Sequence, residues 1–76
     1  MTTNMKLELQ SLGMEIARRR QSIEDQQILI QVLEHDGHEV LQQEVALQRE
    51  RSLLAIQIAR QFELLKASSL SEPSQA

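Results

Sequence analysis

The sequence predicts an all-α chain: two long helices in an antiparallel hairpin, which pairs with a second copy into a homodimeric four-helix bundle. Two seven-residue ladders carry most of that expectation. Leu9, Ile16, Ile23 and Ile30 form one, and Leu7, Met14, Gln21 and Ile28 form the other. They are offset by two positions, roughly 200° around a helix, so they point in nearly opposite directions. A helix that is apolar on two sides needs two neighbours, and a lone hairpin supplies one. Composition is the second observation: 41% of the chain is hydrophobic, drawn from Leu, Ile, Val, Met and Ala, with one Phe and neither Trp nor Tyr. That mixture favours helices over sheets. The third is punctuation, because only two Gly and one Pro interrupt the 76 residues.

The first helix is expected over about 4–36. Thr2, Thr3 and Asn4 offer N-cap oxygens ahead of it. Its inner stripe is Met5, Leu9, Leu12, Ile16, Ile23, Ile30 and Leu33, broken by Arg19 and Gln26. Gly13 lies inside the helix at a cost of about 1 kcal/mol relative to Ala. It reads as a tolerated surface glycine, with a close helix approach as the alternative.

Asp36-Gly37-His38 forms the turn, since Gly can take the left-handed conformation that ends a helix. The second helix follows over about 39–67, with Glu39 favourably placed at its positive end. Its stripe is Val40, Leu47, Leu54, Ile58, Phe62 and Leu65, with Arg51 and Gln61 inside it. Folding back about Gly37 brings Leu33 to Leu41, Ile16 to Ile58, Leu12 to Phe62 and Leu9 to Leu65. The hairpin seam is therefore Leu9, Leu12, Ile16, Ile23, Ile30, Leu33, Leu47, Leu54, Ile58, Phe62 and Leu65. The second sides, Leu7, Met14, Ile28, Val32, Leu53 and Ile56, are the expected interaction face between copies. The hairpin domain spans 1–67, and the Ser-rich stretch 68–76 is expected to be a disordered tail. Each helix should be on the order of 45 Å long.

Charge excludes little and points nowhere strongly. Eight basic residues stand against eleven acidic ones, a formal net charge of −3, and neither half of the chain is basic. A non-specific nucleic-acid binder is not indicated. Met1–Lys6 is not followed by the apolar run of a signal peptide, and the longest apolar runs are far too short to span a bilayer. The expected location is the cytoplasm. With no Cys there is no disulfide and no thiolate metal site.

Three groups of residues invite a chemical reading. His35, Asp36 and His38 sit together at the turn, but the imidazoles straddle Gly37 and no second His or Cys pair completes a metal set. A solvated polar turn is the simpler account, and no metal or cofactor is assigned. Arg18-Arg19-Arg20 makes a strong local field, yet three consecutive helical side chains fan over about 200° and form no single patch. Arg19, Gln26, Gln48 and Arg51 interrupt the seam. Either they form a polar layer that fixes register and oligomer state, or they snorkel to its edge.

The segment Ile23–His38 fits I-x-x-Q-x-x-L-I-x-x-L-x-x-D-G-H through Ile23, Gln26, Leu29, Ile30, Leu33, Asp36, Gly37 and His38. It resembles a pattern in short uncharacterised helical proteins of rhizobial and related bacteria. That pattern carries a Thr after the turn, where this chain has Glu39 and Val40. The resemblance implies a small bacterial helical hairpin and brings no activity with it.

With no Cys, no Gly-rich phosphate loop and no acid–base pair in an evident pocket, neither catalysis nor a small-molecule substrate is expected. The expected function is a non-catalytic protein acting through self-association, as a dimer, and protein–protein contact. The alternative is a small dimeric RNA- or DNA-binding regulator that uses Arg18 and Arg20, aided by Arg60.

Overall fold

A computed structural model of the chain describes the backbone of residues 2–71 and the side chains of residues 5–69. It contains two helices, α1 (Thr2–His35) and α2 (Leu41–Ser71), packed against each other as an antiparallel hairpin. The rod measures 61 × 21 × 15 Å. Helix α1 starts ahead of the expected residue 4. Helix α2 starts later than expected and continues through Ser68 to Ser71, so the stretch read as a tail is helical that far. The remainder of that stretch, 72–76, lies outside the described residues. No helix among the described residues is long and apolar enough to cross a membrane.

The turn is built by Gly37, whose φ of 81° lies in the left-handed region. Its amide donates to the Glu34 carbonyl (3.0 Å), and the His38 amide reaches back to the Leu33 carbonyl (2.8 Å). This paired closure is the Schellman motif, and it satisfies carbonyls that the end of α1 would leave open. Residues 38–40 then cross to the second helix. Val40 is the N-cap residue, its carbonyl accepting from the Glu44 amide at 2.9 Å. An aliphatic side chain cannot cap amides as Ser or Asp would. Val40 instead anchors the start of α2 by burial, with 7% of its surface exposed. This anchoring places Glu39 before the helix, and Glu44 is the acid of its first turn.

The seam follows a strict alternation of three and four residues on both helices. On α1 it runs through Met5, Leu9, Leu12, Ile16, Arg19, Ile23, Gln26, Ile30 and Leu33, all buried or half-buried. On α2 it runs through Val40, Gln43, Leu47, Glu50, Leu54, Gln57, Gln61, Leu64 and Ser68, likewise buried or half-buried. The second half of α2 therefore corrects the expected stripe. Ile58, Phe62 and Leu65 are exposed by 36%, 62% and 52%, and Leu64 is the buried residue. Leu12 and Ile16 accordingly cluster with Leu64 and not with Phe62 and Ile58. Leu41 is exposed as well, and Leu33 packs on the cluster that contains Val40.

Two apolar clusters result. Ile23, Ile30, Val40 and Leu47 form the one near the turn, while Leu12, Ile16 and Leu64 form the one at the open end. Leu54 packs against both and joins them.

The turn yields a direct expectation. A Cβ at Gly37 would meet no atom within 4 Å, so a substitution there suffers backbone strain without a clash. Gly37→Val should cost more than about 1 kcal/mol in chemical unfolding, whereas Gly37→Asn, which tolerates the left-handed region, should cost clearly less. Equal unfolding midpoints for both variants and the parent would contradict the turn assignment.

Candidate interaction surfaces

A connected polar network lies in the gap between the two apolar clusters. Arg19 projects from the α1 seam and is held from both sides of Leu54. Its Nε donates to Gln57 Oε1 (2.8 Å), and its Nη1 donates to Glu50 Oε1 (2.8 Å) in an ion pair. Gln57 passes the network on, since its Nε2 donates to Glu15 Oε1 at 3.0 Å. The side chains of Arg19 and Glu50 each remain 26% exposed. Partial hydration limits the pair to a modest worth, of order 1 kcal/mol. Among the described residues no buried side-chain nitrogen or oxygen lacks a partner.

This is the polar layer that the breaks in the α1 stripe suggested, but its membership differs. Arg19 belongs to it. Gln26 is half-buried and donates to its neighbour Ser22 Oγ (3.3 Å). Gln48 and Arg51 are exposed, and their expected places are taken by Glu50 and Gln57. The signal that locates these two is the seven-residue step from Val40 through Leu47 and Leu54, read together with its intervening positions even where they are polar.

The hairpin has two broad faces and two outer edges. One face is crossed by the Gln57–Glu15 bond and by an ion pair between Arg60 Nη2 and Glu8 Oε2 (2.9 Å). The other carries a shallow groove lined by Gln27 and Gln31 from α1 and by Glu44, Gln48 and Arg51 from α2. The expected interaction residues divide among these surfaces and do not form one face. Leu7, Met14 and Ile28 run at seven-residue steps along the outer edge of α1, exposed by 62%, 61% and 59%. Val32 and Leu53 step by seven to Arg18 and Arg60 and so fall on the face with the Arg60–Glu8 pair, and Ile56 is exposed by 64% on α2.

The arginine run is dispersed in the same way. Arg18 lines a groove with Glu15 and Ser22, Arg19 is engaged in the seam, and Arg20 lies on the Gln27 side of the rod. Arg60 is paired with Glu8. At the turn, His35, Asp36 and His38 are exposed. Among the described residues no three His, Asp or Glu side chains converge as a metal site would require.

No protein-family model matches the chain, and neither a curated protein nor a solved structure matches it.

The network predicts an asymmetry between partial and complete removal. Arg19→Leu alone leaves Glu50 and Gln57 in the seam without their donor and should destabilise by about 1–3 kcal/mol. Replacing Arg19, Glu50 and Gln57 together with Leu should recover that loss or exceed it, because an apolar seam needs no compensating bonds. Denaturant unfolding of both variants measures this. A triple variant no more stable than Arg19→Leu would contradict the assigned network.

Proposed function

We propose that the protein is a non-catalytic interaction module that works by self-association, two hairpins covering each other in a four-helix bundle. One observation carries the reading: the hairpin hides too little of its apolar surface. Among the described residues no side chain is fully buried, while Leu41, Phe62 and Leu65 are each more than half exposed. Large aliphatic and aromatic groups left in water in such number mark a contact surface. A hairpin must also order its whole backbone, at roughly 1–2 kcal/mol per residue, against the burial of a single row of side chains on each helix. A second copy doubles the buried surface with no new sequence, and a twofold pair is the commonest closed assembly.

Geometry disfavours the nucleic-acid alternative. Phosphate binding needs basic side chains on one face, and Arg18, Arg19, Arg20 and Arg60 point to different sides or are already paired with acids.

Sedimentation equilibrium tests the proposal. At micromolar concentration the expected mass is twice that of the chain. A monomer with full helicity at that concentration would overturn it.

A further inference from the structure

Ile58, Phe62 and Leu65 are not needed for the hairpin's own seam, yet they form a continuous apolar line on the second half of α2. Seven-residue steps place them on the rod. Arg51 leads to Ile58 and Leu65, and Gln48 leads to Ala55 and Phe62. On α1, Gln27 leads to Arg20 and Gly13, and Gln31 leads to Glu24 and Ala17. Since Gln27, Gln31, Gln48 and Arg51 line one groove, all of these residues share that broad face. The opposite face is the one bridged by Arg60–Glu8 and Gln57–Glu15. Those two bridges also set the level along the rod, with residues 57–60 of α2 beside residues 8–15 of α1. Gly13 thus lies level with Ile58 and Phe62.

Gly13 adds an independent observation. A Cβ there would meet no atom within 4 Å, so the hairpin itself does not require a glycine. Mid-helix glycine nevertheless destabilises a helix relative to Ala. The result is a face with bulky side chains on one helix and an open, nearly bare backbone at the same level on the other.

We propose that this face is the self-association surface, occupied by a second copy of the chain related by a twofold axis parallel to the rod; this rests on the self-association proposed above. That axis keeps every residue at its own level and sets α2 of each copy over α1 of the other. Ile58 and Phe62 of the second copy then descend on either side of Gly13, large groups against the smallest. The same register brings Arg20 level with Arg51 of the second copy, so shape favours the fit and charge does not. The area suffices. A face of 61 by 21 Å offers up to about 1,300 Å², against about 800 Å² per partner in a standard stable interface. An antiparallel axis centred on the rod would instead lay the bulky line over the Gln- and Glu-rich half near the turn.

The test compares the masses of four proteins by sedimentation at micromolar concentration, with circular dichroism at high concentration as a check on helicity. Gly13→Leu fits the free hairpin without a clash and raises helix propensity, and Phe62→Gln alters a side chain already 62% exposed. Both should weaken dimerisation at least tenfold. The Ile28→Glu, Leu53→Glu double variant, altered on the outer edge and the opposite face, should remain dimeric like the parent. A Gly13→Leu protein that stays dimeric, or a double variant that alone dissociates, overturns this face and leaves self-association standing. A monomeric parent overturns both and would leave the face to another protein.

Discussion

Two helices in contact can bury only the rows that face each other, and in this chain one of those rows is half polar. On α2 the seam positions include Gln43, Glu50, Gln57, Gln61 and Ser68 alongside Val40, Leu47, Leu54 and Leu64. The seam is therefore narrow and hydrated at its edges. Each other feature of the molecule answers to that constraint. The turn is closed tightly by Gly37, the start of α2 is pinned by burying Val40, and Arg19 of the seam is bonded across it to Glu50 and Gln57.

Arg19 shows how the constraint is managed. A guanidinium between two apolar clusters would be costly if left alone. Here its fork is divided between a carboxylate and an amide on either side of Leu54, and the amide is held in turn by Glu15. The arrangement is specific without being strongly stabilising, because both charged members keep contact with water. It separates the hydrophobic interior into two clusters, and Leu54 packs against both. Stability of the single hairpin is correspondingly dispersed along its length, with no deep centre.

The two helices differ in how far their sequences reveal their contacts. On α1 the inward positions are mostly Leu and Ile, and Arg19 and Gln26 fall at the correct steps, so hydrophobicity and spacing agree. The turn is equally readable, because Gly37 is a glycine where α1 must end. On α2 hydrophobicity and spacing part company after Leu54. The spacing continues to Gln57, Gln61 and Leu64, while hydrophobicity leads to Ile58, Phe62 and Leu65 on a neighbouring side. Following the apolar residues misplaces the seam, since a polar layer is invisible to a search for apolar ones. The same confusion hides the proposed interaction surface, because its bulkiest residues look like core. The start of α2 is obscure for a related reason: Val40 caps by burial, which leaves no Ser, Thr or Asp to mark the boundary.

With a thin, partly polar seam and apolar residues left outside it, the hairpin is half of a larger core in the proposed dimer, and folding should then be coupled to association. Thermal unfolding across a hundredfold range of protein concentration tests that most directly. The account predicts a melting temperature that rises steadily with concentration, as mass action requires when the folded state is the dimer. A melting temperature independent of concentration across that range, with the same helicity throughout, would contradict it.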